Sequence, residues 1–370
     1  MLGKLGSALR GVLAGANVIV IALMSLTGMA GHISPESSPV LASAGYALPM
    51  FIILNALFIL AWMAARPKMA LLPIAGFIVC YCPVRAYCPL NIKRDIPADA
   101  LKVITFNVQS LDKSKYPPDG GGAHPALEYL KAQDADIVCL QECPLNDATR
   151  HLMEEAYPYI DTMKHDKNGS TLAVMSKFPV VKKERIAYPS AGNLSAAFFI
   201  KMGHDTLLVI NNHLETSGLT LGERDEFNNM VHNAYNGFDN GSILLSDTTK
   251  KSSRKLLAKL GESAKKRAPQ ARAVAEYVRK NKGKSVILCG DFNDTPISYA
   301  HRTIAKGLTD CYVESGNGPG WSYNHGFMRV RIDNIMCSSH WKPCSCKVDT
   351  SIEASDHFPV VCLLSARPTP

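Results

Sequence analysis

The sequence has no internal repeat and no heptad pattern, which excludes solenoid and coiled-coil architectures. Its eleven cysteines are odd in number and lack disulfide-framework spacing, so a small disulfide scaffold is excluded as well. Cys344 and Cys346 form a CSC pair beside Trp341, but no second pair completes the four ligands of a tetrahedral zinc site. Cys139, Cys289 and Cys362 lie inside apolar runs and read as small core residues. Cysteine usage therefore leaves the compartment open. Charge is missing from two long stretches, Gly11–Gly31 and Tyr46–Ala65.

Those two stretches are each about the ~20 residues that a helix needs to cross a bilayer. A third apolar stretch, Met69–Val84, is shorter and carries Pro73 and Pro83, with Arg85 placed to snorkel just beyond it. A cleaved signal peptide is the competing reading of the first stretch, because Ala42-Ser43-Ala44 resembles a cleavage site. The apolar run is too long for that, ends too far upstream, and is followed by two more. Residues 1–90 thus read as a membrane anchor with spans at about 11–31, 46–65 and 69–84. Lys4 and Arg10 precede the first span, Arg66 and Lys68 follow the second, and the loop from His32 to Gly45 has neither Lys nor Arg. The excess of basic residues on cytoplasmic loops then puts the N-terminus inside and everything after Leu90 outside. Arg85, Lys93 and Arg94 argue the other way, and the assignment reverses if the third stretch does not span.

At 370 residues the chain has room for two or three domains. Mean hydropathy is zero, with the apolar excess gathered in the first ninety residues. The net charge of +8 permits an anionic partner, whether nucleic acid, phospholipid or phosphate ester, without requiring one. After a linker at 91–100, residues 101–370 have the composition of a globular domain. Short β-type runs follow one another: LKVITFNV, ADIVCLQE, TLAVMSKFPVV, SAAFFIKM, TLLVINNHL, KSVILCGDF, VRIDNIMCS and FPVVCLL. Amphipathic patterns at ALEYLKAQD, DATRHLMEEA and ARAVAEYVRKN predict helices between them. Strands apolar on both faces, mixed with such helices, predict an α/β domain with covered sheets. The stretch between His213 and Ser285 is Asn-rich and then rich in Lys and Arg over 250–284. It reads as a solvated insertion with a basic helix face, or as a contact to substrate or membrane surface.

Polar residues collect at the strand ends. ITFN ends at Asn107, IVCLQE at Glu142, LLVINNH at His213 and VILCGDFN at Asp291 and Asn293. RID gives Asp333, and Ser355, Asp356 and His357 stand just before the last strand. Read singly, each has a plain alternative: GDFNDTP is a good turn, Asp333 has Arg329 and Arg331 beside it, and a lone histidine is more often structural. Together, acids, amides and imidazoles at six strand ends predict one site. Several carboxylates there imply a cation, because a buried carboxylate without a positive partner is costly.

The order FNV, LQE, NH, GDFN, RID, SDH resembles the endonuclease/exonuclease/phosphatase (DNase I-like) superfamily over about Leu101–Leu364, with the N-terminal spans marking a membrane-anchored bacterial branch. The resemblance implies a four-layer α/β sandwich, two packed mixed β-sheets flanked by helices, preceded here by transmembrane helices. It implies a Mg²⁺-dependent phosphoric ester hydrolase, with Mn²⁺ as the alternative ion, in which Glu142 is the principal ligand and Asn107 and Asp356 assist. It implies that Asp291 aligns or deprotonates the attacking water and that Asn293 and His357 donate to the phosphoryl oxygens. Asp333 would orient His357, and His213 would act near the leaving group. Trp321 and Tyr323 would wall the substrate pocket. Asn212 stands where the family often has Thr, and Asn334 where an aromatic is common, so substrate specificity does not transfer. A nuclease-type phosphodiesterase is the first expectation. Alternatives are a phospholipid or sphingomyelin phosphodiesterase, an inositol-phosphate-type phosphatase, and a non-catalytic binding protein on the same fold. The expected setting is a bacterial inner membrane with the domain on the extracytoplasmic side. The bilayer and a nucleic-acid or lipid-headgroup ester are the expected partners, with no obligate protein partner.

Overall fold

The computed structural model describes residues 2–111, 123–166, 169–220, 222–226, 228–229, 232, 247–326 and 328–367. Most of the Asn-rich half of the insertion lies outside the described residues.

Alternation along the strands builds the domain. One six-stranded sheet has the order β13-β14-β1-β2-β4-β3, from β1 (Leu101–Asn107), β2 (Ile137–Gln141), β3 (Tyr159–Lys164), β4 (Thr171–Ser176), β13 (Trp341–Val348) and β14 (Val360–Ala366). The other has the order β5-β6-β7-β8-β12-β9, from β5 (Val180–Ile186), β6 (Leu194–Met202), β7 (Asp205–His213), β8 (Ser285–Asp291), β9 (Thr309–Asp310) and β12 (Asp333–Cys337). A hairpin of β10 (Tyr323–His325) and β11 (Met328–Val330) stands apart. In each sheet the parallel pair, β1–β2 and β7–β8, sits among antiparallel neighbours.

Val103, Ile137, Val209, Cys289, Ile335 and Cys362 point between the sheets and form the central core. The alternate residues point outward. Ile104, Phe106, Val138 and Leu140 pack with helices α6 (Pro125–Gln133) and α7 (Asp147–Glu154). Leu208, Ile210, Val286 and Leu288 pack under α8 (Asp247–Lys280) and α9 (Tyr299–Ile304). The result is helix, sheet, sheet, helix, the expected four layers. The run TLAVMSKFPVV is two strands in different sheets, β4 and β5, because the chain turns at Lys177–Pro179.

The N-terminal helices precede this domain as α1 (Leu2–Gly28), α2 (Pro39–Ala42), α3 (Leu48–Ala65), α4 (Leu71–Val79) and α5 (Tyr81–Tyr87). The helical stretches Ser7–His32 and Pro39–Ala65 are long and apolar enough to cross a membrane. The third apolar stretch is not straight: Pro67–Val79 and Tyr81–Tyr87 meet at 75°. Pro83 has no N–H to offer the carbonyl of Val79, so helical bonding lapses at the bend. A polar knot ties the helices together inside the apolar layer. Asn17 Nδ2 donates to Asn55 Oδ1 at 3.1 Å, Trp62 Nε1 to Asn17 Oδ1 at 3.2 Å, and Asn55 Nδ2 to the carbonyl of Pro73 at 2.9 Å.

The N-terminal helices pack directly on the domain. Ile297 is buried in a cluster with Met24, Leu48, Cys80 and Tyr87. A Cβ on Gly31 would lie 2.2 Å from the carbonyl oxygen of Ile297, so only glycine permits this approach. Arg272 on α8 pairs with Glu36 at 2.7 Å, and Arg331 donates to the carbonyl of Ala86.

Helix α10 (Cys311–Ser315) closes the sandwich behind β12, capped by Asp310, which accepts from the N–H groups of Tyr312 and Val313. Burial pushes the Asp310 carboxyl up, but the bond from His301 at 3.0 Å, the charge of Arg331 and the N–H of Val313 outweigh it and hold it down at about 2. The folded value lies below the unfolded 3.8, so this carboxylate stabilises the fold at neutral pH and loses its effect as pH falls through 2. The contribution is about 2 kcal/mol, with about half gone by pH 3. Denaturant unfolding of wild type and Asp310→Asn at pH 6 and pH 3 checks this. A stability gap between them that does not narrow on acidification contradicts it.

Candidate active site

The rows of side chains that fill the core continue past its edge and become polar. On β1 the inward residues Leu101 and Val103 lead to Asn107. On β7, Leu207 and Val209 lead to Asn211 and His213. On β8, Ile287 and Cys289 lead to Asp291, and on β12 Ile335 and Cys337 share their face with Asp333. A period of two fixes this outcome, since residues i, i+2 and i+4 share a face. Register brings the ends level: His213 and Asn107 close their parallel ladders opposite Asp291 and Gln141, and Asp333 pairs with Asp291.

Below the site lies a polar floor. Gln141 Nε2 donates to Asn211 Oδ1 at 2.6 Å and to Thr105 Oγ1 at 3.1 Å. Asn211 Nδ2 donates to the carbonyls of Leu140 and Ala173, both at 3.0 Å. The bonds made by Asn211 cross from one sheet to the other where the apolar core stops. Glu142 follows Gln141 and by alternation would face outward. A φ of 52° turns the backbone there and frees it from alternation, at a cost of roughly 1–3 kcal/mol.

Asp291 is the hub of the site. Its carboxylate accepts from Asn107 Nδ2 at 3.2 Å, from Asn293 Nδ2 at 3.1 Å and from the Asn293 N–H at 2.7 Å. Asn107 Nδ2 also reaches Glu142 Oε1 at 3.1 Å, so one amide bridges two carboxylates. Burial, then the neighbouring Asp333, pushes the Asp291 carboxyl up to about 7. His357 Nδ1 lies 2.8 Å from Asp333 Oδ2, and its Nε2 lies 3.9 Å from Asp291. Burial opposes its charge, but Asp333 and Asp291 outweigh burial and raise it to about 10. The edge of the His357 ring meets Tyr323, centroids 5.2 Å apart.

His213 is the neutral counterpart. Its Nδ1 lies 2.8 Å from Ser170 Oγ, and its Nε2 faces Glu142 at 3.6 Å and Asp291 at 3.8 Å. Burial lowers its pKa more than the Glu142 charge raises it. Two imidazoles in one site are thus held in opposite charge states, the arrangement that separates acid from base roles.

The structure does not gather every residue singled out from the sequence. Trp321 is 43% exposed beneath Arg329, on a neighbouring cleft with Asn324, Val348 and Phe358, while Tyr323 alone of the pair enters the site. Both N–H groups of the Asn293 amide are used, on Asp291 and on the carbonyl of Leu214 at 3.0 Å. Asp356 sits at the rim, 3.6 Å from Arg224. Asp294, which the sequence suggests as a simple turn former, is a buried partner of Arg267 at 3.0 Å. Sequence reasoning missed Ser170, Arg224 and the floor residues Gln141 and Asn211. Arg224 lies over the Tyr323 ring at 5.5 Å and donates to its hydroxyl at 2.5 Å. The parity of β7 would have found Asn211, whereas Ser170 comes from the loop before β4 and Arg224 from a helical segment of the insertion.

The donor set suits a divalent cation. Oxygen and imidazole ligand atoms of Asp291, Asp333 and His357 all lie within 4.8 Å of one another. Asp333 Oδ1 is buried with no hydrogen-bond partner among the described residues. Buried carboxylates this close must take up a proton or a cation, and oxygen-rich sites select hard ions.

Comparison with known proteins identifies the family. The Endonuclease/Exonuclease/phosphatase family matches residues 104–357, and a domain of unknown function (DUF8431) matches residues 10–87. No curated protein matches the chain significantly. Among solved structures, TDP2 of D. rerio complexed with a single-strand DNA product is 15% identical, with 72% of this chain and 100% of that one covered and a TM-score of 0.50. The human Nocturnin catalytic domain with bound sulfate is 17% identical, covers 74% of this chain and 98% of that one, and has a TM-score of 0.50. A mannosyl-6-phosphatase of Bacteroides thetaiotaomicron is 20% identical over 72% and 99%, with a TM-score of 0.49. At these identities the two structures with a TM-score of 0.50 speak to the fold alone, and the family match spans β1 to His357. The chain belongs to the endonuclease/exonuclease/phosphatase family, a family of metal-dependent phosphoric ester hydrolases.

Proposed function

We propose that the protein is a membrane-anchored, Mg²⁺-dependent phosphoesterase whose reacting phosphate lies between Asp291, His213 and His357. The convergence of Asp291, Asp333 and His357 within 4.8 Å, at the open end of two sheets, carries this reading. Asp291 belongs both to this cluster and to the group that Asn107 bridges with Glu142, and it would hold the ion together with Glu142 and Asn107, leaving Asp333 to His357. When bound it supplies Lewis-acid stabilisation of charge on the phosphoryl oxygens. Asp291, fixed by three hydrogen bonds, accepts the proton of the attacking water. The His357 imidazolium, kept charged by Asp333, donates from Nε2 to a phosphoryl oxygen as negative charge builds there. His213, neutral and anchored by Ser170, faces the leaving oxygen. Asn293 holds Asp291 in line, and Asp356 with Arg224 and Tyr323 forms the rim.

The anchor supports an extracytoplasmic domain. Arg10, Arg66 and Lys68 lie at the end of the helices away from the domain, as basic residues on the cytoplasmic side do. The full chain in detergent, assayed with bis(p-nitrophenyl) phosphate and p-nitrophenyl phosphate, tests the chemistry. EDTA should abolish turnover and excess Mg²⁺ should restore it. Chelator-insensitive turnover would remove the metal from the mechanism, and no turnover of either ester with Mg²⁺ would remove the hydrolase.

A further inference from the structure

We propose that the substrate is a phosphate ester of a bilayer lipid, with its phosphate presented at the membrane surface. This rests on the phosphoesterase reading above and narrows its substrate. The basis is which end of the sandwich faces the anchor. Three chain paths answer the same way. First, β8 leaves the site through Asp291 and Asn293 and runs into Ile297, which is buried among Met24, Leu48, Cys80 and Tyr87 of the anchor. Second, β12 enters the site from Arg331, which donates to the carbonyl of Ala86 and stacks on Tyr312 at 4.3 Å. Third, the linker leaves the anchor along the side of the domain. Asn91 Nδ2 donates to the carbonyl of Gly316 at 2.6 Å, and farther on Arg94 bonds Glu314 at 2.6 Å and the carbonyl of Pro343 at 2.9 Å. Strand β1 then runs back toward the anchor and delivers Asn107 at its end. The site therefore opens at the end of the domain that rests on the anchor.

Distances favour a lipid. The chain from Asp291 to Ile297 reaches at most about 20 Å, at ~3.3–3.6 Å per residue. Ile297 packs on Met24 and Leu48, near the ends of α1 and α3 where they meet the domain, and headgroups extend roughly 5–8 Å beyond the hydrocarbon layer. A lipid phosphate at the interface is thus within a short reach of His357 and Asp291. Leu90 is 80% and Ile92 92% exposed where the chain leaves the anchor, a position at which an interface covers apolar side chains.

Charge disfavours a polynucleotide. A strand of nucleic acid needs a run of cations free to meet successive phosphates. Most of the described cations of α8 are engaged with the protein's own carboxylates. Lys255 and Lys259 pair with Glu223, Lys266 with Glu215, Arg267 with Asp294, Arg272 with Glu36 and Arg279 with Glu276.

In the reaction, the oxygen of water bonds to phosphorus and the phosphorus–oxygen bond on the lipid side breaks. The lipid oxygen leaves protonated and stays in the bilayer as an alcohol, and the phosphorylated headgroup enters water. Tethering raises the effective concentration of such a substrate, so reconstituted enzyme should outpace the same enzyme in detergent by roughly 10²-fold.

The test uses the full chain reconstituted into vesicles of a bacterial polar lipid extract, with Mg²⁺. Release of water-soluble phosphorus is measured beside turnover of bis(p-nitrophenyl) phosphate and nicking of supercoiled plasmid. The expected result is lipid phosphorus release without nicking. Ile297→Asp, outside the site, should lose lipid turnover by at least tenfold while keeping turnover of the soluble diester. That retained activity also reports that the domain is folded, and Gly31→Val tests the same seam from the other side. Soluble diester turnover without lipid release, or with plasmid nicking instead, overturns the lipid proposal and leaves the phosphoesterase standing. Absence of all three activities overturns the phosphoesterase reading itself.

Discussion

Asp291→Asn should lower turnover of a phosphodiester by about 10³-fold, within the range of ~10²–10⁴ for loss of a general base. Its fold should survive. The substitution keeps the shape of the side chain and removes a buried charge that faces Asp333. Against that gain, the new amide nitrogen cannot accept: in place of Oδ1 it loses the bond from the Asn293 N–H, and in place of Oδ2 those from Asn107 and Asn293 Nδ2, so one or two charge-assisted hydrogen bonds are lost. Each effect is about 1–3 kcal/mol and they oppose one another, so unfolding free energy should move by no more than about 1 kcal/mol. Turnover within tenfold of wild type would take the proton-accepting role away from Asp291. Inactivity together with unfolding would show that the carboxylate is structural.

Gly290→Ala should do the reverse, breaking the site by breaking the fold. Gly290 has φ 132°, a conformation that residues with a Cβ rarely adopt, and it precedes the hub residue. An added Cβ would lie 2.0 Å from the carbonyl oxygen of Asn212 and 2.7 Å from its nitrogen, on the neighbouring strand. Backbone cannot yield as a side-chain tip can, and β7–β8 is the parallel pair that sets His213 level with Asp291. The expected destabilisation exceeds about 4 kcal/mol, in the tail reserved for named steric conflicts. Denaturant unfolding of the full chain in detergent measures it. A loss under about 1 kcal/mol would mean that β7 and β8 separate at little cost, and the rigid placement of Asp291 would fall with it.

The two predictions separate what the sequence shows from what it hides. Strand alternation was legible, and the same parity that fills the core carries Asn107, His213, Asp291 and Asp333 to one end. The Asp333–His357 contact was legible only through resemblance, because two residues of opposite sign within one motif set do not specify their own distance. Glu142 and Asn293 break alternation by positive φ, which no apolar pattern records. Strands β3 and β13 carry no clear apolar run: YIDTMK is half-exposed throughout, and WKPCSCKV, though it buries Trp341 and Cys346, is interrupted by a proline and polar residues. Arg224 was hidden because it approaches from an insertion and touches Tyr323 from far along the chain. The basic stretch 250–284 looked like an open positive face. Its pairing with Glu36, Glu215, Glu223 and Asp294 depends on tertiary neighbours that composition cannot supply.

The knot of Asn17, Asn55 and Trp62 has a bearing on the enzyme above it. Within hydrocarbon an amide that loses its partner finds no water to replace it. In the membrane-anchored arrangement proposed above, the N-terminal helices could therefore not slide or rotate past one another without stranding a polar group. Bilayers vary in thickness, and unkeyed helices would answer by shifting in depth or tilting separately. As the proposed anchor, these helices would move as one piece, with Ile297 carried along at the top. The anchor would thus serve as a gauge block, holding the mouth of the site at one height above the lipid whatever the membrane beneath it does.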